Sequence, residues 1–84
     1  MLTNSEIKMI IEDAFRPLRC VAEVRDYEQK LRFKVFGPDD KGIVEVPEIV
    51  LSEVRERNQL RETISRFRKR VEERGFSLQP WSLS

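Results

Sequence analysis

The residues of this 84-residue sequence that we consider first for chemistry are one thiol, Cys20, and the adjacent carboxylates Glu12–Asp13 and Asp39–Asp40. A thiol nucleophile works with a general base, and the sequence contains no histidine to serve as one. Glu12 and Asp13 are neighbours on a predicted helix, where successive side chains diverge by about 100°. Asp39 and Asp40 stand in a predicted turn, where aspartate is favoured for local hydrogen bonding. We therefore expect no catalytic residue, no metal site and no cofactor.

Cys20 falls at an inward position of a predicted strand. Free cysteine is among the most frequently buried residue types, so the position favours a core residue. The alternative is a redox role, because the neighbouring Arg19 and Arg25 would lower the pKa of an exposed thiol.

The segment QLRETISRFRKRVEERG, residues 59–75, is rich in arginine and has helical periodicity. Its apolar positions share one face of a helix: Leu60, Ile64, Phe67 and Val71. Arg57, Arg61 and Arg68 cluster within about 40° along one edge of that face, and we call these three residues the arginine flank. Such a row suits phosphates or an acidic protein surface. Alternatively, its stems shield the edge of the core while the charged heads stay in water.

Charges elsewhere on this helix are spaced to pair with each other. Three pairs of opposite charge are four residues apart: Glu62–Arg66, Arg68–Glu72 and Lys69–Glu73. This spacing predicts that much of the charge of the helix is neutralised along the helix itself.

The first predicted helix has a clear start and end. Thr3 and Glu6 have the spacing of a capping box. Apolar residues follow at helical intervals: Ile7, Ile10, Ile11, Ala14 and Phe15. Pro17 is expected to end the helix, because the residue before a proline is pushed out of the helical region.

Two segments then alternate apolar and polar residues, LRCVAEVRD (18–26) and KLRFKVF (30–36), which predicts a β-hairpin. After the turn GPDDKG, a third short strand IVEV is expected to stop at Pro47. The last helix should begin between Ser52 and Asn58, with Asn58 as a candidate cap, and reach Arg74, with Gly75 as its C′ residue. The sequence thus predicts an α+β fold, α-β-β-β-α, with a three-stranded antiparallel meander and two helices packed on one face. A single domain would span residues 1–75.

The remaining residues, 76–84, form a predicted C-terminal tail in which large apolar residues alternate with small polar ones. Either this tail folds back and covers an open edge of the core, or it is a segment that binds a partner or forms a dimer. Val21 and Phe36, apolar residues on the outer sheet face, are a candidate landing place for it. Trp81 is its strongest anchor for an interface with another protein or with a second copy of the chain.

Several of these features occur together in one known family. The residues concerned are IIEDAF, Pro17, Cys20, the GPDDKG turn, the region of Ile49 and the arginine-bearing last helix. Over about residues 1–72 the sequence resembles a family of short pseudomonad proteins classed as a domain of unknown function. The resemblance implies a compact intracellular domain and brings no assigned activity. The element order is also similar to that of double-stranded RNA-binding domains, which implies nucleic-acid binding as an alternative.

The composition of the sequence limits the classes of function to be expected. The net charge is +1, so no overall electrostatic field draws the protein to nucleic acid or to an acidic membrane. No stretch approaches the about 20 apolar residues of a membrane span, and no signal peptide is visible, which predicts a cytoplasmic protein. We expect a small bacterial protein that is a non-enzymatic protein-interaction or regulatory module, either monomeric or homodimeric. Its expected contact residues are Arg57, Arg61, Arg68 and Trp81. The alternative is binding of double-stranded RNA or DNA through the arginine flank.

Overall fold

The computed structural model describes residues 1–25, 27 and 29–83. The elements in chain order are α1 (Asn4–Asp13), β1 (Arg19–Arg25), β2 (Lys30–Phe36), β3 (Gly42–Val50), a 3-10 turn (Leu51–Glu53) and α2 (Arg57–Glu73). The strands form one antiparallel sheet in the order β1-β2-β3. The predicted α-β-β-β-α order is therefore confirmed. Asp26, at the end of the first predicted strand, and Ser84, at the end of the tail, lie outside the described residues.

The start of α1 is the predicted capping box. The Thr3 hydroxyl accepts a hydrogen bond from the Glu6 amide at 3.1 Å, and Glu6 Oε1 accepts one from the Thr3 amide at 3.0 Å. The helix ends at Asp13, well before Pro17, and Ala14 is its C-cap. Ala14 and the following Phe15 are nevertheless fully buried. The apolar pattern thus marked core positions beyond the helix itself.

Both helices pack on the same face of the sheet. The buried residues form one core in which the inner positions of all three strands meet α1 and α2. Phe33 of β2 lies at its centre: its ring centroid is 5.7 Å from that of Phe15, after α1, and 5.4 Å from that of Phe67 in α2. The opposite sheet face carries mostly exposed residues, as the period-2 alternation predicted.

Two predicted boundaries are wrong. β3 continues through Pro47 to Val50, because it is an edge strand and Pro47 falls where its register with β2 shifts, so the missing N–H removes no ladder bond. Asn58 lies inside α2, whose N-cap is Glu56 without a side-chain hydrogen bond. At the other end, Gly75 has a φ of 93° and stands directly after the C-cap Arg74, as predicted.

Candidate functional site

The described part of the tail, residues 76–83, has no regular secondary structure but is packed against the domain. Its large apolar residues are half-buried and contact the core: Phe76, Leu78, Trp81 and Leu83. Its hydrogen bonds all join it to the segment after α1 and to α2. Val21 on the outer sheet face stays 38% exposed, so the expectation that the tail lands there is wrong. The tail does fold back, but onto the helices.

Arg68 is the residue on which the tail converges. One guanidinium nitrogen donates a hydrogen bond to the Ala14 carbonyl, and the other donates to the Gln79 carbonyl at 2.8 Å. The same guanidinium lies 5.8 Å from the ring centroid of Trp81, within the range of a cation–π contact. A planar fork of donors suits this bridging position better than the single ammonium of lysine.

The contact with Ala14 also stabilises the end of α1. Ala14 is the C-cap of that helix, and its carbonyl stands at the negative end of the helix dipole. The last turn of α1 contains no basic residue of its own. Arg68 supplies the missing cation from α2, so a single side chain ties together the end of α1, α2 and the tail.

Two more hydrogen bonds fix the direction of the tail. The Gln79 amide donates to the Arg16 carbonyl at 2.9 Å, and Arg61 Nη1 donates to the Leu83 carbonyl at 3.3 Å. The later tail carbonyl, of Leu83, meets the earlier arginine, Arg61, and the earlier carbonyl, of Gln79, meets the later arginine, Arg68. The tail therefore runs antiparallel to α2 along the arginine flank. We call Ala14, Arg16, Arg61 and Arg68 the tail-docking site.

The hydrogen bonds to the tail involve its backbone, while its apolar side chains contact the core. The bonds from Arg61, from Arg68 and to Arg16 all involve main-chain atoms of the tail. Pro80 favours an extended conformation at the preceding residue, which holds Gln79 ready for both of its bonds. Sequence reasoning singled out Arg61, Arg68 and Trp81 but missed these main-chain partners, because a carbonyl group is present at every residue. Pro80 was the one available signal.

Arg57, the remaining member of the arginine flank, lies at the exposed start of α2. The positive charge of Arg57 acts on the carboxyl group of Glu6. Hydrogen bonds with Thr3 are the main cause of the lowered pKa of Glu6, and the charge of Arg57 lowers that pKa further. The structure therefore joins Arg61, Arg68 and Trp81 in one site and places Arg57 beside the capping box of α1.

The three pairs of opposite charge that were predicted along α2 are not formed: among the described residues, none of them is an ion pair.

On the outer sheet face, positively charged side chains form ion pairs with nearby carboxylates. A depression of about 450 Å³ lies there. Its rim and surroundings carry ion pairs, of which Arg25–Glu23 lies within β1 and the others join neighbouring strands or a strand and a turn: Arg32 with Glu23, Lys34 with Glu45, Lys30 with Glu48, and Arg19 with Asp40. Hydrogen bonding and charge from Arg32, and then from Arg25, lower the pKa of Glu23. Because Glu23 and Glu45 pair with these cations, this face is unlike a phosphate-binding surface.

Cys20 is buried in the core, as its inward position predicted. Burial, with a smaller contribution from the negative charge of Glu12, raises the pKa of its thiol to about 12. It is therefore a neutral thiol at physiological pH, which argues against the redox alternative. Glu12 accepts hydrogen bonds from Lys8 and from the Ala22 amide at 3.2 and 3.1 Å, which explains it as a structural link between α1 and β1.

Comparisons with known proteins returned no family model, no curated protein and no solved structure that matches the chain. The resemblance to short pseudomonad proteins therefore stays a prediction. Across residues 1–25, 27 and 29–83, no cluster of three or more His, Cys, Asp or Glu side chains is arranged to hold a metal ion. Nor does this part of the chain contain a helix that is long and apolar enough to cross a membrane.

Proposed function

We propose that the protein is a non-enzymatic protein-interaction module that binds an extended peptide segment at the tail-docking site. The observation that supports this is the occupied state of the site: Arg61 and Arg68 donate to main-chain carbonyls of the tail. Hydrogen-bond donors that are directed at main-chain carbonyls can bind peptides of many sequences, because every residue has a carbonyl group. An aromatic anchor such as Trp81 adds selectivity. Any partner segment must displace the tail or find it already released.

Nucleic-acid binding through the arginine flank is the second candidate, and the geometry favours it less. Arg61 and Arg68 already direct their guanidinium groups at the tail, so phosphates would have to compete with it. The cations of the outer sheet face are paired with carboxylates and do not extend the flank into a basic surface. The net charge of +1 adds little long-range attraction.

The strength expected for a peptide in trans follows from the competition with the tethered tail. A short tether gives the tail an effective concentration on the order of 1 mM. If the tail is docked about 90% of the time, its docking constant is about 10, and the same segment supplied as a separate peptide binds with a Kd on the order of 0.1 mM. Such weak binding is within the range of fluorescence and NMR titration.

The test uses the full-length chain with its own tail disabled. We call the variant Leu78→Ser/Trp81→Ser/Leu83→Ser the open-tail variant. Trp81 is the only tryptophan in the sequence, so a peptide of residues 76–84 brings the only tryptophan into the titration. Saturable blue-shifted emission with a Kd on the order of 0.1 mM is expected. Far-UV circular dichroism first establishes that the variant is folded.

The matched control adds Arg68→Ala to the open-tail variant, and it should weaken peptide binding at least about tenfold, since a charged bridging contact is lost. A folded open-tail variant that gives no saturable signal would refute the proposed function. Short double-stranded RNA and DNA are titrated into both the wild-type chain and the open-tail variant. Amide shifts at Arg57, Arg61 and Arg68 that weaken steeply with salt would instead favour the nucleic-acid candidate.

A further inference from the structure

The occupant of the tail-docking site suggests which partner fits it. We infer that two copies of this chain exchange their tails, so that residues 76–83 of one copy occupy the tail-docking site of the other. This inference rests on the proposed peptide-binding site and names its partner as a second copy of the chain. The tail seated in the structure is the direct observation, because it shows that the site accepts exactly this segment with its carbonyls on Arg61 and Arg68.

The hinge for such an exchange is Gly75. It follows the C-cap Arg74 at the end of α2 and has a φ of 93°, in the left-handed region that residues with a side chain rarely adopt. A Cβ placed at Gly75 would meet nothing within 4 Å, so the space around the hinge is open. The docked tail therefore leaves α2 through a left-handed C′ glycine, and a residue with a side chain at this position would favour another direction for the tail.

Exchange requires no new contact surface. Each exchanged tail makes the bonds to Arg16, Arg61 and Arg68 that it makes within one chain. The balance between closed monomer and exchanged dimer then depends on the tether and on the hinge alone. With contacts of equal strength, the dimer dissociation constant is of the order of the effective concentration of the tail, about 1 mM. The wild-type chain is therefore expected to be a monomer at micromolar concentration and to dimerise when concentrated.

The hinge supplies a selective perturbation. Gly75→Val disfavours the left-handed turn about tenfold, and two chains must each make this turn to remain closed monomers. The substitution should therefore lower the dimer dissociation constant about 100-fold, to the order of 10 µM. Sedimentation equilibrium between about 1 µM and 1 mM should show a species with twice the 10.0 kDa mass of the chain.

Two companion variants locate the interface in that dimer. Gly75→Val/Arg68→Ala keeps an intact tail but has a damaged docking site, and Gly75→Val with the open-tail substitutions keeps an intact docking site but has a damaged tail. Each alone should be monomeric. Mixing the two should restore a dimer, since one intact tail can still occupy one intact site.

Three outcomes would overturn the inference: Gly75→Val remains a monomer at all concentrations, its dimer survives Arg68→Ala, or the mixture of damaged variants fails to associate. These failures are distinguishable from failure of the proposed function, because the peptide titration on the open-tail variant does not use the hinge. A chain that binds the peptide yet never exchanges its tail would take its segment from a different protein.

Discussion

Replacement of Arg68 by alanine gives the sharpest test of how the tail is held. The change removes two charge-assisted hydrogen bonds, one to the carbonyl of the buried Ala14 and one to the exposed carbonyl of Gln79, together with the contact with the Trp81 ring. Hydrogen bonds to charged groups contribute about 1.5–3 kcal/mol when they are protected from water. Exposure of the Gln79 bond reduces its share, so we expect a total loss of about 2 kcal/mol.

A loss of this size has two measurable consequences. For a domain of this length, about 2 kcal/mol corresponds to a fall in Tm of about 8–16 °C. Release of the tail should also shift the emission of Trp81, the only tryptophan, towards that of a solvated indole before the domain unfolds. Thermal unfolding followed by circular dichroism and by fluorescence measures both effects on one sample. Arg68→Lys should give an intermediate loss, because one ammonium group cannot bridge both carbonyls with the geometry of a guanidinium.

Arg66→Ala is the matched control. Arg66 lies on the same helix and is exposed, but it makes no hydrogen bond or ion pair with the described tail residues, 76–83. Its replacement should change stability by no more than about 0.5 kcal/mol and leave the tryptophan emission unchanged. Equal effects of Arg66→Ala and Arg68→Ala would contradict the bridging role. So would a destabilised Arg68→Ala variant whose tryptophan spectrum is that of the wild type.

Three further predictions concern the domain itself. Thr3→Ala removes the cap of α1 and should cost about 1 kcal/mol in urea unfolding, against a few tenths for the exposed neighbour in Ser5→Ala. Cys20, with its thiol pKa raised to about 12, should react with a thiol reagent only at the rate of unfolding; fast labelling of the native protein would contradict its burial. Glu23 has a lowered pKa in the folded state, so its stabilising effect is present at neutral pH and is lost as the pH falls through that pKa. The wild type should therefore exceed Glu23→Gln in urea midpoint at pH 7, and the difference should disappear towards about pH 2.

The fold could be predicted from the sequence because the patterns that indicate its elements span only a few neighbouring residues. The alternation in β1 and β2 has a period of two, and the capping box at Thr3 and Glu6 spans only four residues. The end of β3 was missed for a non-local reason, since a proline stops a central strand but is tolerated in an edge strand. Only the sheet order β1-β2-β3 reveals which kind of strand contains Pro47.

The candidate site could be predicted only in part from the sequence, because its contacts join residues that are far apart in the chain. Arg68 and Ala14 are separated by 54 residues, and the group that Arg68 binds there is a main-chain carbonyl. The arginine flank and the tail therefore stood as two separate surface features in the sequence. A charged row with no visible partner suggested phosphates, and an apolar tail with no visible partner suggested an interface. In the structure, Arg61 and Arg68 of the flank are bound to the tail.

The contact with the tail changes how the arginine flank is expected to bind a ligand. A row of arginines that ended in water would act mainly through charge, and salt would weaken whatever it bound. Here the guanidinium groups of Arg61 and Arg68 act through directed bonds to carbonyls, beside a half-buried indole, so binding at this site should depend weakly on salt and strongly on geometry. Because Arg68 also binds the end of α1, any segment that replaces the tail must present a carbonyl at the same place. The proposed ligand is for this reason a peptide chain rather than a phosphate, and the segment whose carbonyls meet Arg61 and Arg68 in the structure is the protein's own tail.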